Sequence, residues 1–483
     1  MPWWKDGKVC APLDIATNLY EPWGRADLPV NVHNHNSTDT TEHYLLYRDF
    51  IQKSLREEGR VGWNPLKGGG TAEYANTMAT PGDFTYVFHL FMPYWHAWNL
   101  GLMLQYMVAM AGMFAFLRYQ KYERWLCVAG AIAYGLNSHF AGWVFHRWAL
   151  GGFCWTPWYL LGFMGLRDNK RFGLLTPLFL AASFFGGQIQ YAVFQIFVCV
   201  AFWIGWQIGE CRKTNRFTMK PLLTMLTPGV IATLLACVMF IPCIYAFHVT
   251  VQSGLVRGGL GYPDGILSVV KGVAAYPTYI FPALYGSPGT FDMGRFLSTA
   301  IFHIPFFGSV MLVLAFSGLF VKSGNMSAKV IALSGLLLPL TPLVGPMYQR
   351  LIMIFILGGI WLAIDMISNC PEGAYKRIAR IAKIAFALVF AGVLLIGIAA
   401  AVKHDLLAGQ FKKFVVPAIP SHRFGARPDW FLARVDKFIS NLSIANPRIW
   451  LSLLAFGVSA WMLPSRHKKY FGLVLSLCLL SQL

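Results

Sequence analysis

The chain has 483 residues, of which 56% are hydrophobic and only 13% are charged, with a mean hydropathy of +0.51. Soluble globular proteins carry about 25% charged residues, so this composition excludes a disordered chain, a collagen-like fibre and a secreted disulfide scaffold and indicates a polytopic membrane protein. The net charge of +19 favours anionic membrane lipid as a partner and not nucleic acid. The nine cysteines show no metal-binding spacing.

Residues 1–96 form a polar and aromatic first segment with little continuous hydrophobicity. An amphipathic helix on the membrane surface is predicted over 40–58, because apolar residues recur there at helical spacing: Tyr47, Phe50, Ile51 and Leu55. Asp39 and Glu42 match a capping box at its start, and Gly59 matches a stop signal at its end. Trp63-Asn64-Pro65 and the glycines after it predict a structural turn that shapes a substrate cavity.

The remainder, residues 97–483, reads as a transmembrane domain. Twelve apolar runs approach the roughly 20 residues that a bilayer core requires. They lie at 97–117, 125–145, 150–166, 172–187, 189–208, 222–248, 299–321, 328–345, 350–368, 384–402, 449–463 and 471–483. The sequence therefore predicts an all-α integral membrane bundle of about twelve visible spans.

Basic residues cluster in alternate connections between these runs. By the positive-inside rule these connections are cytoplasmic, which places the first segment and the loops at about 249–298 and 403–448 outside. Because the first segment starts outside, we expect a further helix before residue 1; the alternative is that the helices behind it carry this segment across the membrane. Because the chain stops within an apolar run, we also expect a segment after residue 483.

The 403–448 loop is itself basic and carries an apolar stripe from Asp429 onward. The stripe predicts a second surface helix that rests on anionic lipid. A phosphate-rich acceptor polymer is the alternative partner for the same loop. Trp143, Trp148 and Trp155 fit an aromatic girdle at the membrane interface.

Polar residues beside the predicted spans supply the candidate binding groups. Arg350 and Arg147 lie at outer helix ends, where a guanidinium can hold a phosphate through two hydrogen bonds, with His146 beside them. The alternative for both arginines is snorkelling to the interface. Gln188 and Gln190 either contact substrate in the cavity or bond to neighbouring helices.

Several segments resemble YfhO-like bacterial membrane proteins, which belong to the GT-C class of polytopic glycosyltransferases. The matching segments are Gly7 to Asp14, Glu21-Pro22-Trp23, Asp39 with Arg48, Gly59 to Pro65 and the glycine run after it, Leu104 to Tyr134, Gly186 to Gln190 and Tyr348-Gln349-Arg350. The resemblance covers most of the chain, although each motif is short. It implies a GT-C-like helix bundle in a bacterial cytoplasmic membrane.

The resemblance also implies an activity. Such enzymes pass a sugar from a polyprenyl-phosphate donor to an envelope glycopolymer, glycolipid or protein acceptor on the outer face. A carboxylate of the first outer loop acts as base or orients the acceptor, and the matching positions here are Asp39 and Asp14. The structural alternatives are a helix cap for Asp39 and the start of a turn for Asp14. Glu42 and His43 beside Asp39 are expected in the substrate cavity. A divalent metal bound by histidines of the first segment is an option. The alternative is that these histidines are solvated loop residues that bind no metal.

Two other functional classes remain open. A transporter or flippase of a lipid-linked or anionic precursor would place charges or broken helices within the membrane. A non-catalytic scaffold for envelope assembly would need no carboxylate. Substitution of Asp39 separates the scaffold from the enzyme.

Overall fold

The computed structural model describes residues 9–15, 39–67, 69–249, 306–322, 324–340, 350–418, 432, 435–436, 438–440, 442–463 and 468–482. Most of these residues are helical, and the strands among them form one short hairpin of two two-residue strands. The prediction of an all-α protein is therefore confirmed for the described residues. The predicted outer loop at 249–298 lies outside them, apart from its first residue.

The first described helix lies where the sequence predicts it. A π-helical turn, Thr40–Tyr44, leads into α1, Leu45–Glu57, and Gly59 follows with a φ of +69°. A short hairpin comes next: β1 is Trp63–Asn64, and it pairs antiparallel with β2, Thr71–Ala72. Helix α2, Tyr86–Phe91, completes this first part of the chain.

Two details of this region differ from the prediction. The carboxylate of Asp39 makes no capping hydrogen bond, so the capping box is not formed. The apolar face of α1 does not rest on lipid, because Ile51 and Tyr47 are buried in protein. Gln52 of α1 donates to the Met92 carbonyl, and the Tyr94 hydroxyl donates to the Leu45 carbonyl. Helix α1 is therefore docked on the residues that follow α2.

Fifteen further helices follow within the described ranges. They are α3 Tyr94–Tyr119, α4 Arg124–Gly135, α5 Ser138–Gly142, α6 Trp148–Phe153, α7 Thr156–Arg167, α8 Thr176–Gly186, α9 Ile189–Thr214, α10 Lys220–Val249, α11 Ser309–Phe320, α12 Met326–Leu337, α13 Ile352–Asn369, α14 Glu372–Val402, α15 His404–Val415, α16 Pro447–Met462 and α17 Lys468–Gln482. Each predicted apolar run thus contains helix wherever it is described.

Five of these helices are long and apolar enough to cross a membrane, by length and composition: α3, α9, α10, α13 and α14. The predicted run at 125–145 is divided at Asn137, whose side chain caps α5. The run at 150–166 is divided before Thr156, where Pro157 favours the start of a new helix. The described residues therefore show five candidate spans, and twelve full-length spans are not shown.

The pattern of exposure fits a lipid environment. Helix α13 is buried on all sides, whereas α10 and α14 expose most of their apolar side chains. Val238 on α10 and Leu388 on α14 are 79% and 70% exposed. Exposed apolar surface of this extent marks an interaction surface, and a helix that is apolar all round is buried in a core or spans a membrane.

Close helix contacts hold this core together. Gly335 of α12 lies against the backbone of Phe355 on α13, where an added Cβ would be 2.0 Å from the Phe355 nitrogen. Asp365 of α13 is buried and accepts hydrogen bonds from the Tyr122 hydroxyl (2.9 Å) and the Asn325 backbone (2.7 Å). Asp365 thereby joins the starts of α4 and α12 to α13.

The predicted surface helix beyond Asp429 is only partly described, and its apolar stripe does not face lipid. Val435, Phe438 and Ile439 are buried. Phe438 packs edge-on against Phe411 of α15, and Lys412 forms a 2.7 Å ion pair with Asp436. Helix α15, which the sequence did not predict, covers the stripe.

Candidate functional site

Arg350 is the centre of the candidate site. It lies immediately before α13 and is only 9% exposed. Its Nη1 donates to Oε1 of Gln190 at 2.9 Å and lies 3.5 Å from Oε1 of Gln188. Three residues that the sequence predicts as phosphate-binding or substrate-contacting are therefore adjacent.

Aromatic rings form one wall around this guanidinium. The Arg350 Cζ lies 4.5 Å from the centre of the Trp143 ring and 5.9 Å from that of Trp148. His146 contacts both indole rings, at centroid distances of 4.8 and 5.2 Å. Tyr44 packs edge-on against Trp148 at 4.5 Å and against His146 at 5.4 Å. The first segment of the chain therefore reaches the site through Tyr44.

Several buried polar atoms in this region have no hydrogen-bond partner among the described residues: Nε of Arg350 and the hydroxyls of Tyr44 and Tyr191. The charge of Arg350 acts on both tyrosines and on His146. Buried polar groups are normally paired, and an exception needs an explanation. A bound anion would satisfy one guanidinium and two hydroxyl donors together.

The protonation states also favour an anion. Burial, and then the nearby Arg350 charge, lower the pKa of His146 to about 3, so its imidazole is neutral at pH 7. Burial, and then the Asp39 charge, raise the pKa of Tyr44 well above its usual value, so its hydroxyl keeps its proton. The site thus presents one permanent positive charge and neutral donors.

Three side chains of the types that bind metal ions lie directly before Tyr44 in the chain. Oxygen atoms of Asp39 and Glu42 and a ring nitrogen of His43 all lie within 4.8 Å of one another. The spacing of three and four residues places them on one face of the helical turn. Two carboxylates and an imidazole fit a divalent cation such as Mn²⁺. The charge of Asp39 acts on Tyr44, so this group lies near the Arg350 pocket.

Arg147 does not join Arg350, although it is adjacent in sequence to His146. Its backbone is left-handed, with a φ of 63°, and its side chain is 2% exposed. Nε donates to Oε1 of Gln105 at 3.1 Å, and Nη2 donates to the Thr85 hydroxyl at 3.2 Å. These contacts disfavour interfacial snorkelling, and they place Arg147 in a separate buried network.

Asp83 and Arg48 complete that network, and neither of them was predicted from the sequence to have a role. Asp83 accepts from the Thr85 backbone at 2.8 Å and from Gln105 Nε2 at 2.6 Å, and its carboxylate lies 3.9 Å from Arg48. Asp83 is thus paired with Arg48 and linked to Arg147 through the Thr85 hydroxyl, which donates to Asp83 and accepts from Arg147. Arg48 itself is the sequence feature that could have indicated this network, because it is a charged residue within the apolar stripe of α1.

Other predicted residues lie in structural positions. Asn64 is buried and donates to the Glu73 carboxylate at 2.9 Å, and its Oδ1 accepts from the Leu66 backbone. Trp63 is 62% exposed and covers Gly70. These contacts hold the β1–β2 hairpin together, as expected of a structural turn. The segment with Asp14 packs on the start of α3, where the Trp98 indole donates to the Cys10 carbonyl.

Comparison with protein-family models, with curated proteins and with solved structures gives no match. The resemblance to YfhO-like proteins therefore stays a prediction, and the site has to be interpreted from its own chemistry.

Proposed function

We propose that the protein is a membrane glycosyltransferase that moves a sugar from a polyprenyl-phosphate donor to an envelope acceptor on the outer face of a bacterial cytoplasmic membrane. The observation that carries the proposal is the buried Arg350 guanidinium near Tyr44 and Tyr191, since the Arg350 Nε and both hydroxyls have no hydrogen-bond partner among the described residues. The donor phosphate would occupy this position, with its prenyl chain in the surrounding lipid.

The reaction also requires a base, and the two candidates are Asp39, whose charge acts on Tyr44, and Asp14. The acceptor hydroxyl oxygen attacks the anomeric carbon of the sugar, and the bond from that carbon to the phosphate oxygen breaks. The phosphate leaves with the electron pair, and the hydroxyl proton passes to the carboxylate of Asp39 or Asp14. Arg350 stabilises the negative charge that develops on the leaving phosphate. A divalent cation held by Asp39, Glu42 and His43 would supply further positive charge.

The proposal is tested by mass spectrometry of envelope glycans from cells that carry wild type, Asp39→Asn, Asp14→Asn or Arg350→Gln at matched membrane levels. We expect Arg350→Gln and one of the two carboxylate variants to lose a sugar-sized mass from a polymer, lipid or protein. Asp49→Asn is the control, because Asp49 is a partly exposed member of an ion pair on α1. Wild-type glycans in every variant, together with a glycan change on deletion of the protein, would contradict catalysis.

A transporter or flippase is the second candidate, and the helix breaks favour it specifically. Helices α5, α6, α8 and α9 all begin or end near the aromatic wall, at residues 142–148 and 186–189. Broken helices that meet at a binding site are typical of transporters. Reconstituted vesicles separate the two activities: transport predicts translocation of a lipid-linked sugar that needs Arg350 but continues in Asp39→Asn and Asp14→Asn.

A further inference from the structure

A groove between α14 and α16 lies outside the site around Arg350. It has a volume of about 1120 Å³ and is lined by apolar side chains, including Phe386, Phe390 and Leu454. Among the described residues that line it, Lys383 is the one charged side chain. The groove is large enough for a substantial apolar ligand, because drug-sized sites span about 300–1,000 Å³.

The two helices are antiparallel, and different residues lie at the two ends of the groove. At one end, Nζ of Lys383 lies 4.3 Å from the centre of the Trp461 ring. At the other end, Phe390 packs near Trp450, whose indole donates to the Ile444 carbonyl at 2.6 Å. Beyond Trp450, Ile444 packs on Gly397, where an added Cβ would be 2.4 Å from the Ile444 side chain.

The length of the groove matches one leaflet of a bilayer. Trp461 lies eleven positions after Trp450, which corresponds to about 16 Å at 1.5 Å per residue. Half of a hydrocarbon core of about 30 Å is roughly 15 Å. An acyl chain of one leaflet could therefore extend along the groove from the Lys383 end.

The charge at the Lys383 end is also suited to a lipid headgroup. Lys376, Arg380 and Lys383 are spaced by four and three residues, so they share one face of α14. Arg380 is exposed, and Lys383 is half-buried. These three basic residues form a positively charged surface at the Lys383 end of the apolar groove.

We infer that this groove binds one anionic phospholipid, with an acyl chain between α14 and α16 and a phosphate headgroup against Lys383. Trp450 and Trp461 bracket the chain. This lipid is distinct from the donor at Arg350, because no residue is shared between the two sites. The basic ends of the predicted spans assign the lipid to the cytoplasmic leaflet.

Native mass spectrometry of the delipidated full chain tests this inference, with phosphatidylglycerol and phosphatidylcholine titrated separately. We expect wild type to bind one phosphatidylglycerol in preference to phosphatidylcholine. Lys383→Gln should weaken phosphatidylglycerol binding by about fivefold, the effect of one lysine near a membrane surface. Ala387→Phe, which fills the groove, should weaken binding of both lipids.

Lys213→Gln is the matched control, because Lys213 is an exposed lysine at the end of another helix. Equal phosphatidylglycerol affinity in the Lys383 and Lys213 variants would overturn the inference. Equal binding of both lipids by wild type would overturn it too, as would a dimer mass without bound lipid, which would mean that a second copy covers the groove. Should Ala387→Phe fail to fold, the comparison of Lys383→Gln with Lys213→Gln still decides.

Discussion

The buried network around Asp83 makes the sharpest prediction about stability. Asp83, Arg48 and Arg147 are all buried, at 3%, 3% and 2% exposure. In Asp83→Asn the shape and some hydrogen bonds remain, but the Arg48 guanidinium loses its ion-pair partner and Arg147 loses a favourable electrostatic interaction. Removing one partner of a buried ion pair costs about 3–5 kcal/mol. We expect Asp83→Asn to cost about 3 kcal/mol.

The assay is equilibrium unfolding of the detergent-solubilised protein by SDS titration. Asp168→Asn is the control, because Asp168 forms a partly exposed ion pair with Arg167. Exposed pairs of this kind contribute about 1 kcal/mol or less. The comparison isolates burial, since the chemical change is the same at both positions.

A double-mutant cycle tests the cause. Arg147→Met removes one of the two cations, so Asp83→Asn should cost less in that background, with a coupling energy of at least about 1 kcal/mol. A cost for Asp83→Asn no larger than that of Asp168→Asn would refute this reasoning. So would additive effects of the Asp83 and Arg147 substitutions.

Three further predictions follow from other parts of the structure. Gly335→Ala should destabilise the protein by about 1–3 kcal/mol, because the new Cβ would clash with the Phe355 backbone and a side-chain rotation cannot relieve that clash. Gly392→Ala is the control: a Cβ there would have no atom within 4 Å, so this variant should be neutral or stabilising in the same SDS titration. Equal effects of the two substitutions would contradict the packing at Gly335. Burial, and then the Arg48 charge, lower the pKa of His89 to about 2. Between that value and the unfolded value of about 6.5 only the unfolded chain binds the His89 proton, so His89 should contribute a loss of stability of about 1.4 kcal/mol per pH unit below pH 6.5. His89→Asn should reduce the measured slope by that amount, and an unchanged slope would contradict the assignment. Mn²⁺ binding, followed by electron paramagnetic resonance, should be lost in Glu42→Gln and His43→Asn and kept in Asp49→Asn; absence of binding by wild type would exclude a metal at Asp39, Glu42 and His43.

The positions of the helices could be predicted from the sequence, because a long apolar run in this composition has few alternatives to helix. The breaks within those runs were missed although local signals exist. Asn137 is a favourable cap, and the Thr156-Pro157 pair is a favourable helix start. A hydropathy window averages over such residues and reports one span where the chain forms two short helices.

The amphipathic stripes were predicted to rest on lipid, but several of their described residues are covered by protein. The faces that carry Ile51 and Ile439 are both buried against protein. Amphipathicity shows that a face is to be covered, but it does not distinguish lipid from another helix. That distinction depends on tertiary contacts between residues far apart in the chain.

Several residues of the candidate site were predicted from the sequence, but Tyr44, Tyr191 and the assembly of the site were not. Gln190 and Arg350 are 160 positions apart, and only the fold brings them to 2.9 Å. His146 and Arg147 are neighbours, yet the left-handed backbone at Arg147 directs them to different networks. A sequence pattern does not encode that divergence.

Direct binding of a short-chain polyprenyl monophosphate tests the central claim most directly. The purified full chain in detergent should bind it, and Arg350→Gln should weaken binding by about tenfold or more, because a charge-assisted contact of about 1.5–3 kcal/mol is lost. Arg60→Gln, at an exposed arginine of the first segment, should leave the affinity unchanged. Equal affinity in wild type and Arg350→Gln would contradict a phosphate site at Arg350.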